Sequence, residues 1–431
     1  MTKRCKFLLI VMMVCVCSFF LSGFVLAETR APQRPMAPAG ESISPPDFPA
    51  VFLTGIDKVG VIPERQYFIV FSNGDMVNNW RRTFVDDVNS YADQYAERFG
   101  IHIEWANANE NSAQQLSDVE SLLSMQPDLL LLSPYEAQPA TVIANMCNEA
   151  GVALICLDRE ISIEPGLPGN MYIGFQSQDY YEEGVHCGIE AVNALIEKFG
   201  KPIGNVVEIA GTLGSSPGMQ RSQGVRRVLN EFPDIRVIAM RPGEFDTRIG
   251  YEQMQDLLEV YKPGEIDYLT FGNDSSAIGG VQAIQEANRL ELKGMISSID
   301  GDIQALELMK GGWIRAISEC TPYYGMTAFE YGVRYLNGED IPSRVMLPMR
   351  CWDLQTPEKK ALFEKQLNYI KENNLSFIPV DQMGQDIFYL EETAKYYPVP
   401  WWEDEEEANV KPFTTDEPIK TPEPLASWLA R

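Results

Sequence analysis

VALICLDR, residues 152–159, is an apolar run that stops abruptly in an acid and a base, Asp158 and Arg159. A run this short and this uniformly apolar suits a strand buried on both faces, as in a parallel sheet covered by helices. Opposite charges at the C-terminal end of such a strand sit where a parallel sheet opens to ligand. The stretch therefore predicts both a fold class and the address of a binding site.

The same grammar extends in both directions. Upstream, YFIVFS (67–72), IHIEWA (101–106) and DLLLLS (128–133) alternate with amphipathic segments over 79–99, 112–125 and 137–150. A helix pattern over 179–199 then opens a second cycle. It runs through NVVEIAG (205–211), a helix over 220–232, IRVIAM (235–240), a helix over 247–261, IDYLTFG (266–272), a helix over 275–287 and MISSID (295–300). Short apolar runs alternating with helix-length patterns predict parallel strands joined by right-handed crossovers. Two successive blocks predict an α/β protein of two doubly wound lobes. IRAISEC (314–320) and RVMLPMRCW (344–352) read as returning strands that stitch the lobes together.

The chain begins with Lys3, Arg4 and Lys6, an apolar stretch over 7–20, and the small-residue pattern Val25-Leu26-Ala27. This is the pattern of a cleavable secretory signal peptide, residues 1–27, rather than of a membrane anchor. Cys5, Cys15 and Cys17 follow Arg4, Val14 and Val16, not the small residue that a lipoprotein cleavage site needs. Residues 28–65 form an arm rich in Pro and Ala without periodicity, and 385–431 an acidic and aromatic C-terminal extension.

Thirty-five Lys and Arg stand against 61 Asp and Glu, a formal charge of −26. Such a surface opposes nucleic acid and anionic lipid as partners. Beyond residue 27 lie Cys147, Cys156, Cys187, Cys320 and Cys351, an odd number with no C-x-x-C spacing, so no zinc site and at most one disulfide are expected. The two histidines, His102 in a strand pattern and His186 in a helix pattern, read as structural. Metal chemistry and a Ser-His-Asp triad both lack raw material. The turn after NVVEIA, Gly211 to Gly218, lacks the Lys of a P-loop and reads as a tight turn exposing a helix N-terminus.

The ends of the apolar runs share a chemical theme. Asn73 and Asn79-Trp80-Arg81 follow the first, Asp158-Arg159 the fourth, and Arg221 lies beyond the Gly-rich turn; later runs end in Asn273-Asp274, Asp300 and Glu319. Carboxylates accept from hydroxyls, guanidinium groups donate in a rigid fork, and an aromatic ring covers a C–H face. Together these groups suit a polyhydroxylated ring. Each residue alone could equally be a helix cap or a surface ion pair.

The stretches NNWRRTF, ALICLDRE, GKPIGNVVEIAGTLGSSPGMQRSQG, GEFDTR, GNDSSAIGGVQAIQEA, SIDG and AISECTPYYG occur in this order over roughly residues 66–350. In them the chain resembles the type 1 periplasmic sugar-binding proteins of ABC transporters, in the branch of the ribose- and galactofuranose-binding proteins. The resemblance implies two lobes closing about a three-segment hinge, with an N-terminal lobe of 66–175 plus 321–347 and a C-terminal lobe of 176–319 plus 348–384. It implies sugar contacts at Trp80, Arg81, Asp158, Arg159, Arg221, Asn273, Asp300 and Glu319, although a shift of one residue would put Cys320 in the last position. By the same resemblance a monomer without cofactor captures a monosaccharide in the periplasm and delivers it to an ABC permease. A receptor subunit read by a chemoreceptor or sensor kinase is the alternative. The arm and the C-terminal extension depart from the family pattern. Paired carboxylates also raise the possibility of a glycosidase, but arginines beside them favour ionised acids over a general acid. A repressor of the same fold would need a helix-turn-helix where the arm stands.

Overall fold

A computed structural model of the chain describes residues 61–347 and 349–379. The predicted signal peptide, all but the end of the arm, and the C-terminal extension lie outside the described residues. Strands β1 (Phe68–Asn73), β2 (His102–Asn107), β3 (Leu129–Ser133), β4 (Ala153–Leu157) and β5 (Tyr172–Ser177) belong to one sheet. A second sheet holds β6 (Gly204–Ala210), β7 (Ile235–Pro242), β8 (Tyr268–Phe271), β9 (Ile296–Asp300) and β10 (Ala316–Glu319). Two short late strands, β11 (Arg344–Met346) and β12 (Cys351–Asp353), complete the first and the second sheet respectively.

The spatial orders are β11-β5-β4-β3-β1-β2 and β12-β10-β9-β8-β6-β7. All pairings are parallel except β10 with β12. In both sheets the order reverses beside the first strand, β1 or β6. Reversal parts the flanking loops and leaves a crevice at the strands' C-terminal ends, the place where doubly wound sheets bind ligands. The apolar runs form strands because they are covered on both faces: every residue of β3, β4 and β5 is buried.

The crossovers of the first lobe are α1 (Asn79–Phe99), α2 (Ser112–Ser124) and α3 (Ala137–Ala150). Those of the second are α4 (Tyr180–Phe199), α5 (Ser216–Leu229), α6 (Thr247–Val260), α7 (Asp274–Glu286) and α8 (Ile303–Lys310). Helix α9 (Gly325–Leu336) packs on α1, and α10 (Pro357–Glu372) on α8 and β12. The chain thus passes between lobes three times, between β5 and α4, between β10 and α9, and between β11 and β12. RVMLPMRCW is accordingly not one strand but two, each in a different sheet.

The structure departs from the sequence reading in three places. The helix expected over 220–232 begins at Ser216, because Ser215 caps it by accepting from Gly218 N–H at 3.3 Å and Pro217 fits the first turn. Strand β5 and helices α9 and α10 were not anticipated. The end of the predicted arm is packed on the first lobe: Val61 is buried, Glu64 N–H donates to Asn337 Oδ1 at 3.0 Å, and Arg65 pairs with Asp128 at 2.5 Å. Beyond α10, Ser376 O accepts from Ile303 N–H at 2.9 Å and Phe377 O from the Tyr323 hydroxyl at 3.0 Å, so this segment ties the start of α8 to the second crossing.

The five described cysteines are free. His186 is buried, with Nδ1 2.7 Å from Ser318 Oγ, and burial holds its pKa below the ordinary value. His102 sits on the edge strand β2 with 63% of its side chain exposed, its Nε2 3.2 Å from Glu104 Oε1 and its ring 4.7 Å from that of Phe68.

Candidate ligand-binding cleft

Each side of the cleft is built from strand ends and the helix starts that follow them. On the first lobe, the chain leaves β1 through Asp75 and enters α1 under a cap in which Asn78 Oδ1 accepts from Arg81 N–H at 2.8 Å. This places Trp80 and Arg81 in the first turn, facing the end of β4. There Asp158 adopts a positive φ of 64°, a conformation costly for a residue with a Cβ and concentrated at functional sites. Arg81 donates to Asp158 Oδ2 and to Ser133 Oγ, each at 2.7 Å. Asp158 Oδ1 also accepts from the Tyr180 hydroxyl at 2.8 Å.

On the second lobe, α4 and α5 cross at unusually close range because Gly184 and Gly224 carry no side chain. A Cβ on Gly184 would lie 2.0 Å from Arg221 O, and one on Gly224 2.1 Å from Tyr181 O. The close crossing seats Arg221 Nε on Glu183 Oε2 at 2.7 Å, and its fork reaches Gly272 O at 2.8 Å and Asp300 Oδ1 at 3.4 Å. Asn273 caps α7 by accepting from Ser276 N–H, while its amide donates to Asp300 Oδ2 at 3.4 Å. Asp274 accepts from Gly301 N–H and Asp302 N–H at 2.7 and 2.8 Å, pinning the loop that carries Asp300, whose own φ is 132°.

Asn78, Trp80, Arg81, Asp158 and Arg159 from one lobe, Pro217, Arg221, Phe245, Asn273 and Asp300 from the other, and Cys320 between them line one cleft. Seven of the eight residues singled out in the sequence meet here. Glu319 does not. Adjacent residues at a strand end face opposite ways, so Cys320 turns to the cleft while the Glu319 carboxylate turns away to Arg350.

Asn78, Pro217 and Phe245 in the lining, and Asp75 and Glu183 behind it, escaped the sequence reading. Phe245 sits in a loop with positive φ at both Glu244 and Phe245, and its ring lies within 6 Å of the Arg159 and Arg221 guanidinium groups, at 5.8 and 5.6 Å. Gly211 makes room for it: a Cβ there would stand 2.1 Å from the ring. Asp75, buried behind the lining, pairs with Arg159 at 2.9 Å and Arg81 at 3.6 Å. Glu183 plays the corresponding part behind Arg221. Phe245 lies within the stretch GEFDTR and Asp75 in the loop SNGDMVNNW (72–80), but neither follows directly on an apolar run.

Burial is the main force against charge in this cluster, and the ion pairs counter it. Despite burial, Arg159 and Arg81 hold Asp75 below the ordinary carboxylate range. Burial lowers Arg159, and Asp75 is the strongest influence restoring it. Burial pushes Asp300 up to about 7 and Glu183 up to about 8, in both cases against the pull of Arg221.

The lobes also hydrogen-bond directly to one another. Asn79 Nδ2 donates to Asp302 Oδ2 at 2.8 Å, Asn78 Nδ2 to Phe245 O at 2.9 Å, and Glu160 N–H to Ser216 Oγ at 2.9 Å. Trp80 is less free than a ring-covering aromatic would be. Its Nε1 donates to Cys320 O at 2.6 Å and its ring stacks on Phe84 with centroids 5.5 Å apart.

Residues 69–340 match the model of the periplasmic binding protein domain. The chain belongs to the periplasmic binding protein family. Among curated relatives, the galactofuranose-binding protein of Escherichia coli is 26% identical over 298 residues, covering 69% of this chain and 90% of the relative. The arabinose-transporter binding protein of a Shewanella species, solved with α- and β-L-arabinofuranose, superposes with a TM-score of 0.61 at 24% identity, covering 71% of this chain and 98% of that one. The fructose-binding periplasmic domain of a hybrid two-component system gives 0.60 at 23% identity, covering 72% and 97%. The fold of the family is thus found with transport and with sensory partners.

Proposed function

We propose that this protein captures a monosaccharide in the periplasm by closing its two lobes about the ring and presents it to an ABC permease. The observation that carries this reading is the cleft lining itself: carboxylates, guanidinium groups, an amide and aromatic rings contributed by both lobes. A ligand touching both lobes stabilises the closed arrangement by its differential affinity for it. Asp158 and Asp300 would accept from sugar hydroxyls, while Arg81, Arg159, Arg221 and Asn273 would donate. Arg159 Nε, buried and without a hydrogen-bond partner, offers a donor for such a hydroxyl. The galactofuranose-binding relative supports a sugar as ligand, and the similar binding component of an arabinose ABC transporter supports a transporter as destination.

No reaction is assigned to the cleft. Each lining carboxylate has a guanidinium partner, but the expectation that the arginines keep these acids in the ordinary range fails at Asp300, which burial raises to about 7 despite Arg221. The reading as a binding site is supported by the family, whose named relatives are binding proteins. The test is a thermal-shift and calorimetric screen of pentoses and hexoses on the unmodified chain and on Asp158→Asn. Sugar capture predicts a raised melting temperature with at least one sugar and loss of that response in the variant. An unchanged affinity in Asp158→Asn would remove Asp158 from the site, and no response to any sugar would reject the function.

A further inference from the structure

The cleft lining by itself looks like a site for an anion. It presents three guanidinium groups, Arg81, Arg159 and Arg221, against two carboxylates, Asp158 and Asp300. Two carboxylates outside the lining change that balance. Behind Arg221, Glu183 lies 2.7 Å from Nε and Asp300 3.4 Å from the fork, so that guanidinium has its carboxyl partners within the second lobe. On the first lobe one lining carboxylate, Asp158, faces two arginines, and it favours Arg81: 2.7 Å against 3.8 Å to Arg159. Arg159 finds its near partner in Asp75, at 2.9 Å, buried to 1% exposure.

We propose that Asp75 sets the charge preference of the cleft: by neutralising Arg159 from behind, it reserves the site for neutral polyhydroxylated sugars and closes it to sugar acids. The inference rests on reading the cleft as a monosaccharide site. With Asp75 in place, two cations and two anions balance on the first lobe. A ligand carboxylate would enter as a surplus charge stripped of water, and a buried charge without a partner is strongly unfavourable. Without Asp75, Arg159 is the unpaired charge, and a ligand carboxylate is the group that would complete it in a bidentate pair. Asp75 is not itself part of the lining, so it acts through Arg159 and Arg81 as a positioning and specificity-determining residue.

The purified chain is titrated with neutral sugars (D-galactose, L-arabinose, D-ribose, D-fructose) and with sugar acids (D-galacturonate, D-glucuronate, D-gluconate), by calorimetry and by melting shift. The unmodified chain is expected to bind at least one neutral sugar and to bind the acids at least about tenfold more weakly. Asp75→Asn is expected to move the acid-to-neutral ratio by about tenfold or more toward the acids, and Asp75→Glu to return it. Asp75→Ser makes the same charge change with space for water beside Arg159, and melting curves establish which variants are folded. A preference for acids in the unmodified chain, or an unchanged ratio in either folded neutral variant, overturns the inference while leaving sugar capture intact. Failure of the unmodified chain to bind either panel rejects sugar capture itself, and the inference with it.

Discussion

Glu319 Oε2 accepts from both the backbone N–H and the Nε of Arg350, at 3.0 and 2.7 Å, across the third crossing between the lobes. Both side chains are buried, and Glu319 N–H returns a 2.8 Å bond to Arg350 O. Removing Glu319 takes from the buried Arg350 side chain its carboxylate partner. Glu319→Ala is expected to lower stability by about 3–5 kcal/mol in urea unfolding, with any loss of sugar affinity following the fold. A folded Glu319→Ala protein of normal stability that has lost sugar binding would return this residue to the cleft.

The raised carboxyls give a sign to the pH dependence of stability. Burial lifts Glu183 to about 8 and Asp300 to about 7, above the ordinary range near 4. A carboxyl that holds its proton more tightly in the folded state contributes stability that is complete below the unfolded pKa and is lost as pH rises through the folded one. The urea midpoint is therefore expected to fall between about pH 4.5 and about pH 8, the folded value of Glu183. Glu183→Gln should flatten the upper part of that decline. A midpoint rising over the same interval would contradict the assignment.

Phe245 joins the two halves of the site, with an arginine from each lobe over its ring and its carbonyl bonded to Asn78. Phe245→Leu is expected to reduce sugar affinity by about 1–2 kcal/mol through loss of ring contacts. Gly211→Ala should do comparable harm from outside the lining, because its Cβ would meet the ring at 2.1 Å. Calorimetry on both variants checks this, and normal affinity in Gly211→Ala would show that the ring can move without consequence.

Asn79 lies outside the lining yet binds Asp302 on the opposite lobe. Its loss should weaken the closed arrangement without removing a ligand contact. Asn79→Ala is expected to cost about 1 kcal/mol of sugar affinity, seen as faster dissociation in stopped-flow fluorescence. An unchanged off-rate would show that the bond does not contribute to closure.

Much of the fold was legible because its strands are buried on both faces and so keep their apolar runs unbroken, DLLLLS and VALICL most clearly. Strand β5 was harder to read because Gly174 and two polar residues, Gln176 and Ser177, interrupt the run. Helix α9 had a usable signal, the apolar spacing of Ala328, Phe329, Val333 and Leu336. In the cleft, residues directly following a strand were found by position alone. Glu319 was displaced by the two-residue period of a strand, in which an error of one turns a side chain to the opposite face. Asp75 and Phe245 depend on loops whose path is set by tertiary contacts, including the space left at Gly211.

The short stretch after α10 gives its carbonyls to Ile303 of the second lobe and to Tyr323 at a crossing. The stretch therefore bridges the second lobe and the second crossing, where a change in the angle between the lobes would be felt. An environment-sensitive dye at Ser376 would report that angle directly, converting ligand capture into an optical signal without a label in the cleft.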